Sequence, residues 1–164
     1  PLLNTLPLSH IILHPRLGKQ QYKGEVDLNG FEAFYHGCDK PLLYNGDLHT
    51  IEDIQTVAER FPRLAGVVIG RCLLANPALA WEYQQNRKLS PDEMLSKVKQ
   101  LHTAIYNSYE EQLQGGETQL LMKMKNFWEN LLPNGNRKAK KTIHKTSKLT
   151  NYRIAVNDLL SSYQ

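Results

Sequence analysis

The chain has 164 residues, of which 41% are hydrophobic and 22% charged, and its mean hydropathy is −0.49. This composition is typical of a globular protein with about one domain, or one domain and a smaller partner. Apolar runs fall short of the roughly 18 residues of a membrane span, and the N-terminal residues lack the pattern of a secretory signal. The two cysteines, Cys38 and Cys72, show neither disulfide nor metal-ligand spacing. We therefore expect a cytoplasmic protein without a membrane segment or a metal site.

The net charge of +4 is distributed unevenly along the chain. Residues 1–89 contain nine Lys or Arg and nine Asp or Glu, whereas residues 90–164 contain eleven and seven. Within residues 121–153 there are nine basic residues and one acidic residue, Glu129. This asymmetry predicts an anionic partner for the C-terminal region.

The first half alternates short apolar runs with helical patterns. Three runs have the length and β-branched content of strands: SHIILH (9–14), PLLYNG (41–46) and LAGVVIG (64–70). Their nearly continuous apolarity is typical of parallel strands that are covered on both faces. Helices are predicted between them, over 28–36 and 50–61. The order strand, helix, strand, helix, strand predicts a parallel sheet and an α/β fold.

Polar residues mark where several helices begin. Thr50 and Asp53 form a pair similar to a capping box. Ser90 is a predicted N-cap, followed by Pro91 at the first helical position and Glu93 at the third.

The second half is predicted to be entirely helical. Gly115-Gly116 ends the first of its helices, and the next one places Phe127 and Trp128 on its apolar face, which indicates core residues. A turn is predicted at Pro133-Asn134-Gly135 and a third helix after Thr150. We place the domain boundary near Lys88, which gives domains at 1–88 and 89–164.

Polar motifs follow all three predicted strands: His14-Pro15-Arg16, Asn45-Gly46-Asp47 and Gly70-Arg71. Taken singly, each has an ordinary explanation, such as a plain turn, a structural histidine or a solvated arginine. However, the carboxyl ends of parallel strands emerge at one edge of a sheet, where ligands bind. A strand that ends in Gly-Arg before a helix also suits a phosphate. The three motifs together therefore predict an anion site.

The segments HPRLGKQQYKGEVD, YNGDLHTIED and GVVIGRCLLANPALAWEY resemble consecutive signatures of the tRNA-dihydrouridine synthase family. In that family these signatures follow the last three strands of a TIM barrel. The segment LLMKMKNFWENLLPNGNRKAKK is similar to the helical domain of the family. The resemblance covers about residues 10–141, and it implies the C-terminal portion of a (β/α)₈ barrel, with three strands, followed by an all-α domain.

The resemblance also implies roles for particular residues. His14, the Asn45-Gly46-Asp47 turn and the Gly70-Arg71 pair would bind flavin mononucleotide (FMN), and Arg16 would lie nearer the uridine or the RNA backbone. The sequence departs from the family at Pro15, where glycine is usual, and at Cys72, where glycine or alanine is common. Because Pro15 has no N–H, a backbone contact at that position is put in doubt.

The implied reaction of the whole protein is the reduction of uridine to 5,6-dihydrouridine in tRNA, with NADPH as the reductant. A (β/α)₈ barrel has eight strands in about 250 residues, so this chain would be a fragment. The catalytic cysteine would lie upstream of it, the chain alone would be inactive, and its open barrel edges would favour a dimer. The basic region would hold tRNA phosphates through Lys123, Lys125, Arg137, Lys138, Lys140, Lys141 and Lys145.

Two other functions are compatible with the sequence. One is a non-catalytic basic helical module that binds RNA and carries a remnant half-barrel. The other is a different flavin or sugar-phosphate barrel enzyme that shares the same phosphate-binding edge.

Overall fold

A computed structural model of the chain describes residues 1–21, 23–133 and 135–163. The chain divides into two units. One comprises residues 1–73 and 79–86 and is called the sheet unit here, and the other comprises residues 74–78 and 87–164 and is called the helical unit.

Three short parallel strands form the sheet in the described residues, in the order β1 (Ile11–Leu13), β2 (Leu42–Tyr44) and β3 (Gly66–Val67). Ile11 is paired with Leu42, and Leu43 with Gly66. The three predicted strands are confirmed in position and direction but are shorter than the predicted runs. The expected cover on both faces is wrong for β1 in the described structure, because Ile12 is 49% exposed.

Helices connect the strands and continue after them. In chain order they are α1 (Leu2–Thr5), α2 (Leu28–Gly37), α3 (Ile51–Arg60), α4 (Arg71–Ala75) and α5 (Leu79–Gln85), and a short 3₁₀ helix occupies Gly18–Gln20. Connections that contain α2 and α3 are what allow neighbouring strands to run parallel. The predicted helices over 28–36 and 50–61 are therefore confirmed.

The core of the sheet unit is built on aromatic side chains. Phe31 of α2 packs edge-to-face against Tyr44 of β2 and against Phe61, with ring centroids 4.9 Å apart in both pairs. The predicted cap of α3 is also confirmed, because the Asp53 N–H donates to Thr50 Oγ1 over 3.1 Å and Asp53 Oδ2 accepts from the Thr50 N–H over 2.9 Å. An N-cap of this kind stabilises a helix by about 1 kcal/mol.

The helical unit contains α6 (Pro91–Gln112), α7 (Gly116–Phe127), α8 (Arg137–Lys145) and α9 (Leu149–Ser161). The capping box of Ser90 and Glu93 is present at the start of α6. The structure adds α8, which the sequence did not predict. The predicted turn at 133–135 includes Asn134, which lies outside the described residues. In the part of the chain that the structure describes, no helix is both long and apolar enough to cross a membrane.

A buried hydrogen-bond network lies in the core of the helical unit. Trp128 is fully buried, as predicted, and its Nε1–H donates to Tyr152 Oη over 2.8 Å. The Tyr152 hydroxyl also lies 2.8 Å from His102 Nε2. Since Tyr152 already accepts from Trp128, its own proton is available for a neutral His102. Burial keeps this histidine neutral, because it lowers the pKa of His102 from 6.5 to about 4.

We expect acid to destabilise the helical unit through His102. As the pH falls below 6.5 the unfolded chain binds a proton at this histidine, whereas the folded chain does not do so until about pH 4. The free energy of unfolding should therefore fall by about 1 kcal/mol between pH 7 and pH 5, after a discount for partial exposure. Urea unfolding followed by circular dichroism measures this loss. His102→Gln should flatten the pH dependence and His144→Gln, at an exposed site, should not; equal slopes in the two variants would contradict the assignment.

Candidate functional site

The three polar motifs at the strand ends line one depression of about 260 Å³ in the sheet unit. The loop after β1 contributes His14, the loop after β2 contributes residues 45–48, and the segment after β3 contributes residues 68–72. The expected proximity of the three strand ends is thus confirmed. The predicted cofactor residues that line the depression are His14, Asn45, Gly46, Asp47, Gly70 and Arg71.

Backbone hydrogen bonds position the first two loops beside each other. The Asn45 N–H donates to the Leu13 carbonyl over 3.0 Å and so extends the pairing of β1 with β2. His14 Nδ1 lies 2.6 Å from the Asn45 carbonyl oxygen. A carbonyl oxygen only accepts, so Nδ1 carries the proton in this contact.

The Asn45-Gly46-Asp47 turn does not use glycine for a left-handed conformation. In the described residues that conformation falls on Asp47 instead, at φ +30°. Gly46 is required by space, because a Cβ at this position would lie 2.8 Å from Tyr44 Oη and 3.1 Å from Val26 Cγ1. The turn is therefore packed against the end of β2, and it is not a hairpin turn.

A partly buried ion pair with Arg16 holds the Asp47 carboxylate in place. Arg16 donates to both carboxylate oxygens of Asp47, over 3.3 and 2.6 Å, and to the Gly24 carbonyl over 2.6 Å. The Arg16 side chain is 1% exposed and that of Asp47 is 33% exposed. Burial alone would raise the pKa of Asp47, but the hydrogen bond and the charge of Arg16 outweigh it and lower that pKa. Asp47 is therefore ionised and oriented at neutral pH.

The predicted substrate residue Arg16 is not among the residues that line the depression. Its guanidinium is buried against Asp47, and its Nε atom has no hydrogen-bond partner among the described residues. Arg16 therefore acts on the depression through Asp47 in this structure.

Gly70 and Arg71 form the side of the depression best suited to an anion. Gly70 is exposed, and a Cβ added to it would meet nothing within 4 Å, so its backbone is accessible. Arg71 begins α4 and brings a positive charge that lowers the pKa of Asp47. Because α4 has only five residues, the dipole of a helix N-terminus, which the sequence suggested, adds little here. The guanidinium and the open backbone are the main donors.

A contact between Cys72 and His49 was not predicted from the sequence. Cys72 Sγ lies 3.2 Å from His49 Nδ1 at the edge of the depression. Burial raises the pKa of the Cys72 thiol, although the charge of Arg71 opposes this shift. Cys72 is half-buried, and Cys38 is buried. No local spacing connects residues 49 and 72, so the sequence carried no signal for the pair.

The predicted RNA-contacting residues lie on α7 and α8 of the helical unit. α8 contains five Lys or Arg among nine residues, and its apolar residue Ile143 is buried in the core. Lys140 is half-buried, and burial lowers its pKa. Among the predicted RNA-contacting residues, the exposed ones are Lys123, Arg137, Lys138, Lys141 and Lys145. Within the described ranges, no three His, Cys, Asp or Glu residues are grouped so that they could hold a metal ion.

The structure defines an α/β protein with a small parallel sheet, a polar depression at the carboxyl ends of its strands, and a basic all-helical unit. The sequence model of the dihydrouridine synthase (Dus) family matches residues 8–164. The chain therefore belongs to the dihydrouridine synthase family, as the sequence motifs indicated. No curated protein matches the chain. Membership indicates an oxidoreductase that acts on tRNA uridine, in a family that is generally flavin-dependent.

We expect Gly46→Ala to destabilise the sheet unit by about 1–3 kcal/mol, the usual cost of overpacking. The reason is the close approach of Tyr44 Oη to the new Cβ. Gly37→Ala is the matched control, because nothing lies within 4 Å of a Cβ at that position. Urea unfolding measures both changes. Adding Tyr44→Phe should recover part of the loss at Gly46, and a Gly46→Ala variant as stable as Gly37→Ala would contradict the packing argument.

Proposed function

We propose that this chain provides the phosphate-binding edge of an FMN site and part of the tRNA-binding surface in a tRNA-dihydrouridine synthase. The observation that carries the proposal is the convergence of His14, Asn45-Gly46-Asp47 and Gly70-Arg71 on one depression. These three loops are distant in sequence. They place the Arg71 guanidinium, the accessible backbone of Gly70 and the Asp47 carboxylate in the same depression. Membership of a family that is generally flavin-dependent supports a flavin nucleotide as the ligand.

The residues present fit the phosphate end of a flavin nucleotide. Arg71 carries the charge and the donors that suit a phosphate, and the accessible backbone of Gly70 lets the ligand approach closely. The ionised Asp47 carboxylate is an acceptor for the hydroxyl groups of a ribityl chain. The depression, at about 260 Å³, is smaller than the range of about 300–1,000 Å³ found for complete ligand pockets. It therefore suits a phosphate with part of the ribityl chain and not a whole FMN.

Bound FMN, reduced by NADPH, would supply the hydride for the uracil ring. In this proposal Arg71 binds the phosphate dianion, and Arg16 keeps Asp47 ionised and oriented toward the ribityl hydroxyls. The hydrogen bond from His14 Nδ1 to the Asn45 carbonyl fixes the orientation of the imidazole ring beside the ligand. Arg16 could contact RNA only if its hydrogen bonds to Asp47 were broken. We therefore assign Arg16 the role of positioning Asp47.

We assign no catalytic role to either cysteine of this chain. Cys38 is buried, and its Sγ contacts the Lys40 carbonyl over 3.6 Å. Cys72 lies at the end of the depression that holds the anion donors, and burial raises the pKa of its thiol. In our proposal a cysteine outside this sequence donates the proton to the uracil ring.

We also propose that the sheet is the last part of a (β/α)₈ barrel, with the barrel portion at 1–88 and the tRNA-binding domain at 89–164. The exposed Ile12 of β1 supports this view, because a barrel covers its strands with helices. The outer edges of β1 and β3 would then pair with further strands of the barrel or, in the isolated chain, with a second copy. On this proposal the chain alone does not catalyse the reduction.

The tRNA-binding role rests on the basic surface of α7 and α8. The exposed residues Lys123, Arg137, Lys138 and Lys141 would contact phosphates, with no dependence on base sequence. Lys140 would contribute less, because its side chain is half-buried and less accessible to a phosphate.

Arg71→Ala in the full-length protein should reduce the affinity for FMN by roughly 10- to 100-fold, which corresponds to the loss of a charge-assisted hydrogen bond. It should leave riboflavin, which has no phosphate, nearly unaffected. Flavin fluorescence titrations measure both affinities. Arg60→Ala is the control, because this arginine pairs with Glu32 and lies outside the depression. If Arg71→Ala retained the wild-type preference for FMN over riboflavin, the phosphate assignment would be wrong.

A further inference from the structure

A second depression, of about 340 Å³, lies between α8 and α9 in the helical unit. We call it the α8–α9 groove. Residues Asn151, Ile154 and Asp158 occupy one face of α9, because their spacing of three and four residues follows the helix period. The α8 side contributes Thr142 and Lys145.

Several chemical groups of the groove have no hydrogen-bond or ion-pair partner among the described residues. Lys145 and Asp158 carry opposite charges and line the same groove, yet among the described residues they form no ion pair with each other or with any other group. The Asn151 amide likewise makes no hydrogen bond there. Ile154 is 61% exposed. A cation, a carboxylate, an amide and an apolar side chain are therefore all available to one ligand.

The charge around the groove indicates what this ligand is. α8 contains five Lys or Arg among nine residues and no acid, so the surface attracts a polyanion. A carboxylate on such a surface repels phosphates and weakens their binding. The cost is offset where the carboxylate accepts hydrogen bonds from a base, as acidic side chains do with amino groups.

We propose that the α8–α9 groove binds one unpaired nucleotide of the RNA and favours guanine. Lys145 contacts its phosphate, Ile154 packs against the face of the base, and the two Asp158 oxygens accept from the adjacent N1–H and N2–H groups of guanine. The Asn151 amide donates to the sugar. Thr142 Oγ1 donates to the Lys138 carbonyl over 3.0 Å, so it accepts from a sugar hydroxyl. This proposal rests on the tRNA-binding function proposed above and adds a base-specific site to it.

The preference for guanine follows from the donors on the edge of each base. Guanine presents two neighbouring N–H donors, a match for the two oxygens of a carboxylate. Uracil has one N–H between two carbonyl oxygens, and these repel a carboxylate. Proteins read such edges in single-stranded RNA, where the bases are not paired.

The test compares three heptanucleotides on the full-length protein: U₇, U₇ with a central guanosine, and U₇ with a central inosine, which lacks the N2 amine. Fluorescence anisotropy gives each dissociation constant. We expect the guanosine oligomer to bind at least about fivefold more tightly than U₇, with inosine between them. Asp158→Asn should abolish the preference. Glu129→Gln removes an exposed acid outside the groove and should retain it.

The possible results separate this proposal from the broader one. Equal binding of all three oligomers, or a guanosine preference that survives Asp158→Asn, would overturn the groove assignment and leave sequence-independent RNA binding intact. Binding of none of the oligomers, and of no tRNA at low salt, would overturn the groove assignment and the RNA-binding function together. The inosine comparison needs no variant, so it stands even if Asp158→Asn fails to fold.

Discussion

The ion pair between Arg16 and Asp47 is the interaction on which the candidate site depends. A guanidinium that is 1% exposed donates to the Asp47 carboxylate and to the Gly24 carbonyl. It thereby connects the loop after β1 to the loop after β2, 31 residues away. Removing the Arg16 charge from water has a desolvation cost that offsets part of the attraction between the two charges. We therefore infer that the main role of the pair is to fix the position of the Asp47 carboxylate. The geometry it defines is that of an ionised carboxylate beside the donors of Gly70 and Arg71.

The parallel sheet also determines where the residues of the candidate site lie. Strands that run in one direction place His14, Asn45 and Val68 at the same edge, and helices α2 and α3 occupy the connections. Only glycine fits at position 46, because a Cβ there would lie 2.8 Å from Tyr44 Oη. The core and the site are therefore not independent, since Tyr44 packs against Phe31 on one side and limits the turn on the other.

Local patterns of apolar and polar residues were sufficient to predict the strands and most of the helices. The strands, the caps at Thr50 and Ser90, the buried Trp128 and the shared edge of the strand ends all follow from residue type and spacing. Helix α8 was missed because Ala139 and Ile143 are its only apolar residues and its lysines resemble a solvated tail. The Arg16–Asp47 pair and the Cys72–His49 contact join residues 31 and 23 positions apart. Such contacts arise from packing and leave no local signal. The substrate contact expected for Arg16 came from the family resemblance and not from the residues themselves.

Arg16 holds Asp47 in position, and a double-mutant cycle tests this role most directly. Urea unfolding of the full-length protein would be measured for Arg16→Met, Asp47→Asn and the double variant. Each single change leaves a polar group without its partner, so we expect each to cost about 1–3 kcal/mol. The double variant should cost less than the sum of the two by at least about 1 kcal/mol. Losses that add to within about 0.3 kcal/mol would show that the two residues act independently, and the account of the site would be wrong.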